Sequence, residues 1–141
     1  MTVQNFSRPV ARPRIVISES EHARLMNLAE KAMERDSSVG EYLADELSRA
    51  HVVPDRDCEA HVVRMGSRVT YRDEATGRTR QVTLVYPHEA NIDENRISIL
   101  TPIGAALIGM SPAQSIQWPT PDGGVSSLTV LEVDNESAGG E

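Results

Sequence analysis

Between residues 18 and 51 the apolar side chains recur every three or four positions, the period of a helix that buries one stripe. Leu25, Leu28 or Ala29, and Ala32 form the first stripe, flanked by Met26 and Met33. Val39, Leu43, Leu47 and Ala50 form the second. Each run opens on a capping box, Ser18-Glu19-Ser20-Glu21 and then Ser38-Val39-Gly40-Glu41. In such a box the serine hydroxyl accepts from the first helical turn and the glutamate reaches back to the serine amide. Asp36-Ser37 separates the runs, so the spacing predicts two helices folded back on each other over 18–53. At about 1.5 Å per residue that hairpin is roughly 20–25 Å long, and mutual packing is the first use of both stripes.

The period then changes. Residues 54–60, with Pro54 and four charges, read as a linker. Val62-Val63, then Val69 and Tyr71, predict a strand, Asp73 to Gly77 a turn, and Gln81 to Tyr86 a strand with near alternation. Pro87 to Arg96 is a polar loop before a third strand, Ile97–Leu100. A break at Thr101-Pro102 introduces a short helix over 103–109. Ile116–Trp118 is a fourth strand, Pro119 to Gly124 a turn, and Val125–Val133 a fifth strand. The predicted fold is α+β: a short antiparallel helical hairpin, of coiled-coil type, then a mainly antiparallel sheet domain over 61–134 with one short helix. Residues 1–17, with three Arg, two Pro and no acid, read as a mobile arm, and 135–141, rich in Gly and Glu, as a frayed tail.

Composition narrows the functions this fold can serve. The 141 residues are 39% hydrophobic, enough for a core, but only 4% aromatic, too few to wall a large organic cofactor, so no cofactor is expected. A net charge of −7 argues against general nucleic-acid binding, which needs cations to displace phosphate counterions, and no specific nucleic-acid contact is expected. It suits a basic protein partner instead. Residues 18–57 carry ten acids against five Lys or Arg, which makes the hairpin the more densely acidic part. The lone Cys58 forms no internal disulfide and fits a reducing, cytoplasmic setting. No apolar run approaches the ~20 residues of a membrane span.

The candidate chemistry is thin. Cys58 and His61 have a C-x-x-H spacing with His51 upstream, but zinc needs about four ligands and no second Cys exists. Acidic neighbours should raise the Cys58 pKa rather than activate the thiol. His22 and His88 read as isolated surface groups. Glu34, Asp36 and Glu41 cluster at the expected hairpin tip, where carboxylates can hold Mg²⁺. The simpler account makes Asp36 a turn former and Glu41 a cap partner.

The run Thr83-Leu84-Val85-Tyr86-Pro87, the run Ile97-Ser98-Ile99-Leu100-Thr101-Pro102-Ile103-Gly104-Ala105-Ala106-Leu107-Ile108-Gly109, and the strand Leu128 to Val133 together resemble the C-terminal domain of the bacterial Gre transcript-cleavage factors. With Met65-Gly66-Ser67-Arg68-Val69 and Ser115-Ile116-Gln117-Trp118, the whole chain resembles the short-hairpin branch of that superfamily, the regulators of nucleoside diphosphate kinase. The resemblance implies an FKBP-like sheet domain that docks on RNA polymerase beside its secondary channel, without prolyl isomerase activity. It places the dock at the Thr101-Pro102 loop, next to Leu100. The residues themselves add Ile103, Ala106 and Leu107 as an apolar patch beside that loop, suited to a basic or mixed protein partner, or else as a plug for the open face of the sheet; Leu107 is expected buried and Thr101-Pro102 exposed. Leu100 stands where Gre factors have an Asp. Those factors also carry an Asp and a Glu three apart at the tip of a long hairpin, holding Mg²⁺ for RNA cleavage; here the position three after Asp36 is Val39. The implied protein is a non-enzymatic regulator that binds polymerase in competition with Gre-type factors and does not stimulate cleavage; a monomer is expected, because no exposed heptad extends beyond the hairpin. The alternative is direct binding to nucleoside diphosphate kinase.

Overall fold

The computed structural model describes residues 12–119, 122 and 124–135. The expected arm up to residue 11, part of the turn at 119–124 and the tail from 136 lie outside the described residues. Two helices, α1 (Glu19–Met33) and α2 (Ser38–Arg49), make the hairpin. Leu25, Ala29 and Ala32 of α1 and Leu43 and Leu47 of α2 are buried, as the spacing of the stripes requires. Gly40 sits where the helices approach closely: a Cβ there would lie 2.8 Å from the Ala32 Cβ.

The first capping box forms only in part, and the second is replaced by a cap one residue earlier. The Ser18 hydroxyl accepts from the Glu21 amide at 3.4 Å, but the Glu21 carboxylate turns away and accepts from the Met65 amide at 3.3 Å. The second helix is capped one residue early. Asp36 takes a left-handed conformation (φ 59) that closes the turn, and Ser37 then accepts from the Gly40 amide at 3.0 Å. With Ser37 as cap, the third helical position is Gly40, so Glu41 is no cap partner. His22, expected on the surface, is half-buried and its Nε2 donates to the Leu47 carbonyl at 3.0 Å, linking the helices.

The sheet has five strands: β3 (Arg68–Asp73), β4 (Thr79–Val85), β5 (Arg96–Ser98), β6 (Ser115–Pro119) and β7 (Val125–Asp134), in the order β5-β4-β3-β7-β6. All pairings are antiparallel except β4 with β5, which is parallel because the 87–95 connection runs back along the edge before β5 begins. Val62 and Val63 are buried but form no strand; Val63 exchanges backbone hydrogen bonds with Met110 (2.9 Å) and Gly109 (3.0 Å) instead. The helix α3 (Pro102–Leu107) follows β5.

Two expectations about the ends are corrected. Ile15 and Ile17, assigned to a mobile arm, are 1% and 2% exposed and belong to the core. They flank Val16 in and beside the short strand β1 (Val16–Ser18), which pairs in parallel with β2 (His51–Val53) just after α2. The Val16 amide donates to the Gly109 carbonyl at 3.1 Å, and Arg49 donates to the Pro13 carbonyl at 2.6 Å. Buried Glu46 pairs with Arg12 at 3.2 Å and with Arg49 at 2.5 Å. Residues 12–18 thus strap the hairpin to the sheet. At the other end Asn135, assigned to a frayed tail, is buried; its amide donates to the Ala60 and Val62 carbonyls and its oxygen accepts from Ser67.

The consequence is a single core. Helix α2 packs on α3, and one cluster joins Leu25, Leu43 and Leu47 of the hairpin to Leu84, Ile99, Leu107 and Leu128 of the sheet. The segment 54–60 is held as well: Asp55–Asp57 form a single 3-10 turn, and the Asp55 carboxylate accepts from the Ser20 amide at 3.0 Å.

Candidate docking loop and hairpin tip

Strand β5 ends at Ser98, whose side chain and carbonyl both organise the entry into α3. The Ser98 hydroxyl accepts from the Leu100 amide at 2.9 Å, and the Ser98 carbonyl accepts from the Thr101 hydroxyl at 2.8 Å. Thr101 is the cap of α3, accepting from the Gly104 amide at 3.1 Å. Pro102 takes the first helical position, where its lack of an N–H costs nothing and its fixed φ suits the helix. Gly104 is required by a close approach: a Cβ there would fall 2.3 Å from the Ser98 carbonyl oxygen. The loop is therefore rigid, held by three side-chain hydrogen bonds and one backbone-on-backbone contact.

Leu100, Thr101, Pro102 and Ile103 are half-buried and reach the surface. Ala106 and Leu107 do not, at 1% and 0% exposure. The expectation that Ala106 shares a surface patch with Ile103 is corrected, and Leu107 is core. The reason is long-range: α3 packs against both α2 and β6, and Ala106 and Leu107 lie in the core they share.

At the hairpin tip Glu34, Asp36 and Glu41 are all exposed. Among the described residues no three His, Cys, Asp or Glu side chains come together in a way that could hold a metal ion. Cys58 is half-buried, and burial pushes its thiol pKa up, with Arg64 opposing and Glu21 and Asp55 adding to the rise. His61 pairs instead with Glu59 at 3.2 Å.

One polar site escaped the sequence pattern. Ser18, Ser20, Glu21, Arg24, Asp55, Arg64 and Met65 line a cleft where the start of α1 meets the entry to the sheet. Glu21 and Arg64 are distant in sequence, and the only local signal, the capping box, assigned Glu21 to a different task. Burial raises the Glu21 carboxyl above its ordinary value of 4.5, with the Met65 amide, Arg64 and Arg24 opposing and Asp55 adding. A carboxyl whose folded pKa lies above its unfolded value binds its proton more tightly in the fold. Its contribution therefore turns against the fold as pH rises from the unfolded value through the folded one. Glu21→Gln cannot titrate, so its stability relative to wild type is expected to climb as pH rises from the ordinary carboxyl value of 4.5 and to level off once the folded carboxyl has ionised. Urea unfolding of both proteins across that range checks this; a difference that does not vary with pH would contradict it.

The architecture is that of a two-part α+β factor, a helical hairpin strapped to a sheet whose edge carries a proline-started helix. The sequence pattern of the family described as "Transcription elongation factor, GreA/GreB, C-term" matches residues 58–135, and the pattern described as "Rnk N-terminus" matches residues 13–53. The regulator of nucleoside diphosphate kinase of Escherichia coli K12 is 34% identical over 125 residues, covering 89% of this chain and 92% of that protein. The transcription elongation factor GreA of Azorhizobium caulinodans is 35% identical over 136 residues, covering 91% and 86%. Among solved structures, a prokaryotic transcription elongation factor GreA/GreB from Nitrosomonas europaea superposes with a TM-score of 0.67 at 36% identity, covering 87% of this chain and 99% of that one. The chain belongs to the GreA/GreB transcription elongation factor family, in its Rnk branch. These relatives are named as regulators or transcription factors. No helix among the described residues is long and apolar enough to cross a membrane.

Proposed function

We propose that this chain is a regulator that docks on RNA polymerase near the secondary channel through the Leu100–Ile103 end of its sheet domain. It competes there with Gre-type factors and does not stimulate RNA cleavage. Family membership supports the partner. The observation that carries the mechanism is the hairpin. Its helices have 15 and 12 residues, about 22 Å and 18 Å at roughly 1.5 Å per residue. Helix α2 packs on α3, and Leu25, Leu43 and Leu47 join the hairpin to the core of the sheet domain. The hairpin tip offers Glu34, Asp36 and Glu41, with Val39 three positions after Asp36. Catalysis tolerates a misplacement of only about 1 Å, so a short hairpin leaves these carboxylates far from a metal that a long one would reach.

The test is binding to purified core RNA polymerase with and without a GreA-type competitor, joined to a cleavage assay on arrested elongation complexes. The expected result is mutually exclusive binding, no RNA cleavage by the chain alone, and less GreA-stimulated cleavage as its concentration rises. Cleavage by the chain alone would refute the mechanism, and absence of binding would refute the partner. A second reading, direct regulation of nucleoside diphosphate kinase, is favoured by the name of the Escherichia coli relative. It requires the kinase to bind this chain in the absence of polymerase.

A further inference from the structure

The loop between β4 and β5 holds Ile92 at 83% exposure, the most exposed of the described large apolar side chains. Single exposed apolar residues are common on protein surfaces. What sets this one apart is how firmly its backbone is built. Asn91 and Arg96 exchange two backbone hydrogen bonds of 2.9 Å and close the loop. Inside that closure Ile92–Glu94 form a 3-10 turn, begun by the Asn91 side chain accepting from the Asp93 amide at 3.1 Å. Asn95 ends the turn in a left-handed conformation (φ 60), its amide donating to the Ile92 carbonyl at 3.0 Å. The Asn95 carbonyl accepts from the Thr83 amide at 2.8 Å, which fastens the loop to β4. The Arg96 guanidinium donates to the Glu89 carbonyl at 3.2 Å. The ordering cost that binding would otherwise impose on this loop is already met in folding.

The surroundings of Ile92 are acidic. Asp93 and Glu94 follow it and Glu89 precedes it, while the one cation of the loop, Arg96, is engaged by Glu94 at 3.1 Å. The position adds a second constraint. β5 is the edge strand, with the Ile92 turn at its start and Thr101-Pro102 after its end. Its three residues span about 10 Å at 3.3 Å each. Two rigid, partly apolar projections thus flank one sheet edge.

We propose that Ile92 is a second anchor of the docking surface: it fills an apolar socket rimmed by Lys or Arg on the polymerase, while the Thr101-Pro102 loop makes the other contact. This rests on the polymerase-docking reading above. The acidic collar supplies electrostatic complementarity and the buried apolar side chain supplies holding strength. The two ends of β5 fix the orientation.

The test is the affinity of the full chain for purified core RNA polymerase, compared for wild type, Ile92→Ser and Ile92→Leu. Thermal unfolding of each is followed by circular dichroism. Ile92 is almost fully exposed, so its variants should unfold at the wild-type temperature. Ile92→Ser is expected to weaken binding about tenfold or more, the scale of an interface hot spot, while Ile92→Leu keeps most of the affinity. If wild type binds and Ile92→Ser binds within about twofold of it, below any hot-spot effect, the anchor is refuted and the docking reading stands. If wild type does not bind, both are refuted.

Discussion

Leu107→Ala is expected to lower the unfolding free energy by about 2–5 kcal/mol, the range for deleting a fully buried leucine side chain. Leu107 is 0% exposed and belongs to a helix packed between α2 and the sheet. A cavity there has rigid walls on both sides, which argues for the upper half of that range. Domains of this kind are stable by about 5–15 kcal/mol in total, so a large share would be lost. Urea unfolding measures it, and the single Trp118 makes the measurement more informative. Trp118 sits in the sheet, whereas far-ultraviolet circular dichroism mainly reports the two long helices. Because hairpin and sheet share one core, both probes should give the same midpoint in wild type and both should shift together in Leu107→Ala. Separate transitions, or a Leu107→Ala shift confined to Trp118, would mean that the hairpin is an independent unit.

The elements that local chemistry dictates were legible in the sequence. The helical stripes, the strands around Val69, Leu84 and Leu128, and the Thr101-Pro102 break all arise from period and turn chemistry, and each appears within a few residues of its expected place. What was not legible depends on distant partners. Ile15 and Ile17 alternate as a strand does, but three strand residues carry little signal beside Arg and Pro neighbours; only pairing with His51–Val53 makes them one. Glu21 had a valid local partner in Ser18 and took a distant one, the Met65 amide, because the fold brings it alongside. The parallel pairing of β4 and β5 depends on the path of the 87–95 connection, which no alternation records.

The candidate site divides the same way. The break at Thr101-Pro102 and the short helix after it were legible, although the helix starts at Pro102; the Thr101 cap and the close approach of Gly104 to the Ser98 carbonyl arise only in the fold. Which face of α3 reaches solvent was beyond local reading. Ile103, Ala106 and Leu107 form an apolar set whichever side is covered, and the packing of α3 between α2 and β6 decides the matter, with the last two in the core. Ile92 carries no sequence signal, because a polar loop with one apolar residue has no period at all.

Gly104→Ala joins the stability of the fold to its proposed function. The added Cβ would lie 2.3 Å from the Ser98 carbonyl oxygen, 3.0 Å from the Ile99 Cα and 3.0 Å from the Thr101 hydroxyl. Two of these neighbours are backbone, so no side-chain rotation relieves the contact. Alanine gains up to about 1 kcal/mol over glycine in helix propensity, but overpacking a rigid site costs typically about 1–3 kcal/mol and sometimes more. A clash with backbone belongs at the upper end of that range, so the second effect should win, for a net loss of about 2 kcal/mol. The displaced atom matters for function: the Ser98 carbonyl accepts from the Thr101 hydroxyl, and the oxygen of that hydroxyl caps α3. Relieving the clash therefore moves the loop that carries Thr101 and Pro102. Polymerase affinity, measured well below the unfolding midpoint, should fall about tenfold or more, as for loss of an interface hot spot. Leu107→Ala leaves the loop's hydrogen bonds intact and should retain more of its affinity even at a similar stability. Wild-type stability in Gly104→Ala would overturn the close approach. An equal loss of affinity in the two variants, each folded under the assay conditions, would mean that general weakening, and not the loop's geometry, governs docking.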